Sequence, residues 1–99
     1  MKNFIPYERI KQAKDILRAI SNDTRKEIIN LIHSKGSMNV TELYVKLNME
    51  QSFTSQHLAI LRRANIVRTE RKGKVILYSI NYEKIQQVDE GARKILGVI

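Results

Sequence analysis

The stretch QSFTSQHLAILRRAN, residues 51–65, constrains the fold of this chain more than any other. At helical spacing Thr54, Leu58 and Leu61 fall on one face, and Ser52, Ser55, Gln56, Ala59, Arg62 and Arg63 on the other. The apolar face must lie on a core. The opposite face then presents hydroxyls, an amide, a small alanine and two guanidiniums to solvent. Directly after it, IVRTERKGKVILYSI is rich in β-branched and aromatic residues and is interrupted at Lys72 and Gly73, the pattern of two strands joined by a tight turn.

The preceding chain reads as three short helices. From Tyr7 to Ile20 the apolar residues Ile10, Ala13, Ile16, Leu17 and Ile20 recur at helical spacing, with Lys11, Lys14, Asp15 and Arg18 between them. Ser21, Asn22 and Asp23 then offer N-cap chemistry before TRKEIINLIHSKG, where Ile28, Leu31 and Ile32 share a face and Gly36 marks a stop. NVTELYVKL predicts a third helix capped by Asn39 or Thr41, with Val40, Leu43, Tyr44 and Leu47 as its buried side. Asn48 follows, where a left-handed residue reverses the chain. After the hairpin, Ile85, Val88, Ala92, Ile95 and Ile99 return to a three- or four-residue spacing and predict a last helix.

Three short helices, a longer one, two strands and a final helix make a mainly α fold with a β-hairpin wing, the winged helix-turn-helix. In that layout the helix before the hairpin enters the major groove of DNA. No linker divides the chain, since the only proline is Pro6 and the four glycines are scattered, so residues 1–99 are expected to form one domain. A domain this small has a thin margin of stability, and a dimer would add to it. The apolar stripes of the first and last helices exceed what a three-helix core consumes. A homodimer is therefore expected, with Ile10, Ala13, Leu17, Ile85, Val88, Ala92 and Ile95 at its interface.

Charge points the same way. The net charge is +8, from 18 basic and 10 acidic side chains, so a polyanion is the natural partner. Between Gln51 and Ile80, Arg62, Arg63, Arg68, Arg71, Lys72 and Lys74 face the single acid Glu70. More than half of the net charge thus lies in under a third of the residues. Arg71, Lys72 and Lys74 crowd the hairpin tip, where cations can straddle phosphates or enter a minor groove; the plainer reading is a solvated turn. Serine and glutamine on the helix before it can bond phosphates or base edges, and Ala59 allows close approach.

Several classes are set aside. The chain contains no cysteine, which removes disulfides, thiolate metal sites and thiol nucleophiles. No GxGxxG, GxxxxGK or HExxH occurs, so catalysis is not expected, nor is a cofactor. No run approaches the roughly 20 apolar residues of a membrane span, and MKNFIPYERIKQ lacks a signal peptide's apolar segment, so a cytoplasmic protein with no membrane partner is expected.

The residues also resemble the ArsR/SmtB-type bacterial regulators, from about Leu17 to Asn81. The matching segments are LRAISNDTRKEIINLI, VTELYVKLNM, SFTSQHLAILRRANIV and RKGKVILYSIN. The resemblance implies a dimeric winged helix that represses operons by occupying operator DNA until an inducer, often a metal ion, releases it. By position it places Gln51, Ser52, Ser55 and Gln56 in the first half of the recognition helix, and Arg71 and Lys74 on the wing.

The sequence departs from that family at its metal sites. Where metal-sensing relatives carry a cysteine pair in the third helix, this chain has Asn39 and Thr41 in SMNVTEL. The last segment, YEKIQQVDEGARKIL, has no histidine, and Asp89 with Glu90 is too little for a closed zinc site. His33 is read as complementing a helix dipole and His57 as flanking the packing face. Phe53 is expected to pack on the third helix, Glu50 to favour the start of the fourth, and Tyr44, Tyr78 and Tyr82 to occupy core or strand positions. Two other functions fit the charge: an architectural DNA-binding protein of low sequence preference, and a winged helix that docks an acidic protein. The Ser/Gln-rich face argues against the second.

Overall fold

Ala13, Ile16 and Ala19 are buried along one side of the first helix, α1 (Tyr7–Ile20), while Ile10, Leu17 and Ile20 flank them half-buried. The structure, a computed structural model of the chain, describes residues 7–86. The stripe expected on this helix is thus divided. Its centre is spent on the chain's own core, and its flanks remain in part accessible.

The second helix, α2 (Asp23–Lys35), starts at Asn22, whose side chain accepts the Arg25 N–H at 3.0 Å. It ends at Gly36, where φ is 89° and the N–H donates to the Ile32 carbonyl at 2.7 Å. Ile28 and Ile32, one turn apart, are fully buried. A short strand, β1 (Ser37–Met38), leads to α3 (Val40–Leu47). Here Asn39 is the cap, and its reciprocal bonds with Glu42, at 2.8 and 3.1 Å, close a capping box. Of the four residues expected on the buried side of α3, Leu43 is fully enclosed and Val40, Tyr44 and Leu47 are half-buried.

The remaining elements are α4 (Gln51–Arg63), β2 (Val67–Lys72) and β3 (Val75–Ile80), with residues 82–86 again helical. The strands form one antiparallel sheet in the order β1-β3-β2. Ser37 pairs with Ser79 and Met38 with Tyr78 on one edge of β3; Val67 pairs with Ile80 and Lys72 with Val75 on the other. The core lies between helices and sheet, with Ile28, Ile32, Leu43, Leu58, Leu61 and Ile66 at its centre.

The fold is the winged helix expected, with three differences of detail. The sheet has a third strand, β1, which pairs only because Met38 packs in the core beside β3. The hairpin turn is Gly73–Lys74 and not Lys72–Gly73, because Lys72 completes the ladder opposite Val75 and Gly73 takes the left-handed backbone at φ 62°. Only α3, at 8 residues, is short; α1 has 14 residues and α2 has 13, matching the 13 of α4. Val88, Ala92, Ile95 and Ile99 lie outside the described residues, as do Asp89 and Glu90.

Candidate nucleic-acid interface

The α3–α4 pair is a helix-turn-helix because of Asn48. It sits at φ 54°, ψ 49°, and the next N–H, of Met49, reaches back to the Tyr44 carbonyl at 2.9 Å. This six-to-one closure satisfies a carbonyl at the end of α3 and turns the chain into α4 within three residues. Glu50 stands at the N-cap of α4 but makes no side-chain capping bond, so the stabilising role expected of it is limited to its charge near the helix start.

Thr54, Leu58 and Leu61 are at most 1% exposed, and Thr54 returns its hydroxyl to the Glu50 carbonyl at 3.0 Å. This seats α4 with Gln51, Ser52, Ser55, Gln56, Ala59, Arg62 and Arg63 exposed. These side chains share a continuous outer surface at three- and four-residue spacing. Ser55, Ala59, Arg62 and Arg63 border a groove of about 480 Å³ whose opposite wall includes Tyr78 of β3. The groove is open to solvent and runs between helix and wing.

The strand register divides the wing cations. Arg71 lies opposite Ile76, on the same face of the sheet as Thr69, Tyr78 and the buried pair Val67 and Ile80; Lys72 lies opposite Val75 on the other face. Arg71 therefore shares its face with Tyr78, the wing wall of the groove, whereas Lys72 points away and Lys74 occupies the turn. All three are exposed, and Nε of Arg71 donates to the Gly73 carbonyl at 3.1 Å, so the arginine braces the tip. Among the described residues the ion pair formed is Arg68–Glu83, at 3.8 Å between exposed side chains. Arg62, Arg63, Arg71, Lys72 and Lys74 make none there.

Asn81 joins helix to wing. It is 6% exposed, its side-chain amide donates to the Asn65 carbonyl at 3.0 Å, and its main-chain N–H donates to the Ile66 carbonyl at 2.8 Å. Its Oδ1 accepts from the Lys84 N–H at 3.3 Å and so caps the helical residues 82–86. Asn65, at φ 65°, ends α4 in the left-handed region, with the Ile66 N–H on the Leu61 carbonyl at 2.9 Å.

Three side-chain expectations are corrected. Nδ1 of His33 lies 2.6 Å from the Tyr82 hydroxyl with the rings edge to face, so His33 ties α2 to residues 82–86 and does not simply complement a dipole. Tyr82 is 53% exposed, outside the core. Phe53 is 48% exposed, and its ring meets His57 of its own helix edge-on at 4.7 Å, because position 53 falls between the buried and outer faces. His57 is itself buried, and desolvation together with the neighbouring Arg25 charge lowers its pKa. Among the proposed interface residues, Ala13 is already packed inside the single chain, Ile10 and Leu17 are half-buried, and Ile85 packs against the chain's own core. Among the described residues no three His, Asp or Glu side chains gather as metal ligands would.

Residues 22–69 match the family model described as bacterial regulatory protein, arsR family. The transcriptional repressor PagR of Bacillus anthracis is 32% identical over 95 residues, covering 96% of this chain and 91% of that protein. Its crystal structure superposes with a TM-score of 0.73 at 29% identity, over 84% of this chain and 94% of that one. The transcriptional repressor SdpR of Bacillus subtilis is 33% identical over 73% of this chain and 79% of its own length. The transcriptional activator HlyU of Vibrio cholerae is 31% identical over 76% and 68%, and a structure of HlyU superposes with a TM-score of 0.70 at 26% identity over 91% and 97%.

Proposed function

The chain belongs to the arsR family of bacterial regulatory proteins and is a transcriptional regulator of that family, and we propose that it acts as a homodimeric repressor that reads a pseudo-palindromic site in double-stranded DNA. The observation that carries this reading is the outer surface of α4. Ser52, Ser55 and Gln56 stand exposed over a firmly buried inner face, beside a groove that the wing closes on its far side.

In this reading α4 enters the major groove from its N-terminal half. Gln51, Ser52, Ser55 and Gln56 meet base edges and the nearest phosphates, and Ala59 lets the helix approach. Arg62 and Arg63 reach the backbone at the groove edge. Arg71 and Lys74 extend along the flanking phosphates or into the minor groove, and Lys72, on the other face of the wing, contributes charge at longer range. Two protomers related by a two-fold axis place two reading helices about one helical turn of DNA apart. Ile10 and Leu17 on α1 supply the described part of the dimer interface, with Val88, Ala92 and Ile95 as its expected continuation. The protein works in the cytoplasm, and no catalytic step or resident cofactor enters this reading. Among the described residues no helix is long and apolar enough to cross a membrane.

Selection of a randomised duplex pool by the purified protein, at near-physiological salt, tests the proposal. An enriched inverted repeat is expected. Binding without enrichment favours an architectural protein, and failure to bind points to a protein partner. Transcription in vitro from a promoter overlapping the enriched site then separates repression from activation, a distinction that matters because PagR and SdpR are named repressors and HlyU an activator.

A further inference from the structure

Arg25 joins three helices through one side chain. At the start of α2 its N–H is held by the Asn22 cap. Its Nε donates to the Ala19 carbonyl at 2.6 Å and its Nη2 to the Arg18 carbonyl at 3.3 Å, both in the last turn of α1, where carbonyls lack helical partners. Its Nη1 donates to Nδ1 of His57 at 3.2 Å, midway along α4. All three guanidinium nitrogens are thereby engaged.

A guanidinium has no acceptor, so Nδ1 of His57 is the bare ring nitrogen and Nε2 carries the proton. Nε2 is buried and has no hydrogen-bond partner. The imidazole is therefore held at one nitrogen only, with the Phe53 ring against it. His57 is flanked by Gln56 on the outer surface and Leu58 in the core, so the setting of its ring is coupled to the rotation of α4 about its axis. That rotation decides where the outer side chains point.

We infer that Arg25 is a positioning residue for the reading helix: through His57 it sets the rotation of α4 against α1 and α2, and with it the direction in which Ser52, Ser55 and Gln56 meet a duplex. The inference rests on the assignment of α4 as the reading helix. The surroundings favour the state it needs, since burial and the Arg25 charge both keep His57 neutral. Asp15, Arg18 and Arg63 border the same groove as Arg25, and Arg25 is the charged group bonded to the ring. Protonated His57 would set N–H against N–H and positive against positive, so the tie exists only with the neutral ring.

Three substitutions separate positioning from simple support. Arg25→Lys keeps the charge but cannot span Ala19 and His57 together; His57→Leu removes the acceptor; His57→Asn places a carbonyl oxygen near the position of Nδ1. Affinities for the selected duplex and for a random duplex of equal length give a preference ratio. Arg25→Lys and His57→Leu are each expected to lower that ratio roughly tenfold, with no further loss in the double variant. His57→Asn should keep it within about threefold of the starting protein. For the unsubstituted protein the ratio should fall only as pH is taken below the ordinary imidazole range of about 6.5, because burial and Arg25 hold His57 neutral to lower pH, and for His57→Asn it should stay level. Equal losses on both duplexes, or additive losses in the double variant, would overturn the inference. Amide NMR spectra recorded without DNA separate this failure from that of the DNA reading. If Arg25→Lys leaves the amides of residues 51–59 unmoved, Arg25 does not position α4; if they shift and no operator can be selected, the positioning stands and the DNA reading fails.

Discussion

Asn81 donates its side-chain amide to the Asn65 carbonyl at 3.0 Å, across 16 residues of sequence, and so fastens the end of α4 to the root of the wing. Asn65 needs that partner because its left-handed backbone closes α4 and leaves its own carbonyl pointing out of the helix. The bond adds to the packing of Leu61, Ile66 and Val67 that joins α4 to the β2–β3 hairpin. Substituting Asn81→Leu removes both the donor to the Asn65 carbonyl and the cap of residues 82–86. A loss of about 1–3 kcal/mol is expected, read as a lower urea midpoint at unchanged slope. An unchanged midpoint would mean that the wing is held by other contacts.

The turn between α3 and α4 gives a second prediction. Asn48 stands in the left-handed region, where a β-branched residue is strained and glycine is not. Asn48→Val should cost roughly 1–2 kcal/mol and Asn48→Gly much less, measured by thermal unfolding followed by circular dichroism. Equal effects would show that the asparagine side chain, and not the backbone conformation, is what the turn requires.

Outer-face and wing residues should fail in different ways. Gln56→Ala is expected to relax preference at one position of the selected site, at a cost of about 1–3 kcal/mol on that site and little on random DNA. Arg71→Ala and Lys74→Ala should weaken binding to every duplex and shallow the dependence of log affinity on log salt by about one unit each. Lys72→Ala, on the opposite face of the wing from Arg71, should change that slope less than Arg71→Ala does.

Stability should carry a signature of His57. Its folded-state pKa lies below the ordinary imidazole value of about 6.5, first through burial and then through Arg25. As pH falls through that value the unfolded chain takes up a proton before the folded one does. The contribution of neutral His57 is thus complete above about pH 6.5, declines below it by at most about 1.4 kcal/mol per pH unit, and levels off once the folded-state pKa is passed. Urea midpoints of the unsubstituted protein and His57→Asn, compared from about pH 7.5 to about pH 5, should diverge in that direction. Parallel curves would remove His57 as their cause.

Local rules made most of the fold legible. Asn22, Gly36, Asn39 and Asn48 each end or begin a helix by chemistry that belongs to the residue itself, and each does so where the sequence places it. The two faces of α4 follow from spacing alone. What escaped the sequence is tertiary. The two residues of β1 are too few to show a period, and they form a strand only because β3 lies beside them. No local pattern links Arg25 to its partner His57, which is 32 residues away. Tyr82 looked apolar enough for a core, but its hydroxyl is drawn to His33 at the surface. The turn moved by one residue because strand register is decided by pairing along the whole hairpin, from Val67 with Ile80 to Lys72 with Val75.

Methylation interference on the selected duplex tests whether the outer face of α4 lies in the major groove twice per dimer. Methyl groups at guanine N7, which project into the major groove, are expected to block binding in two clusters centred about one helical turn apart, and Gln56→Ala is expected to lose sensitivity at one position within each cluster. Binding insensitive to major-groove methylation, or a single cluster with no symmetry mate, would contradict that placement.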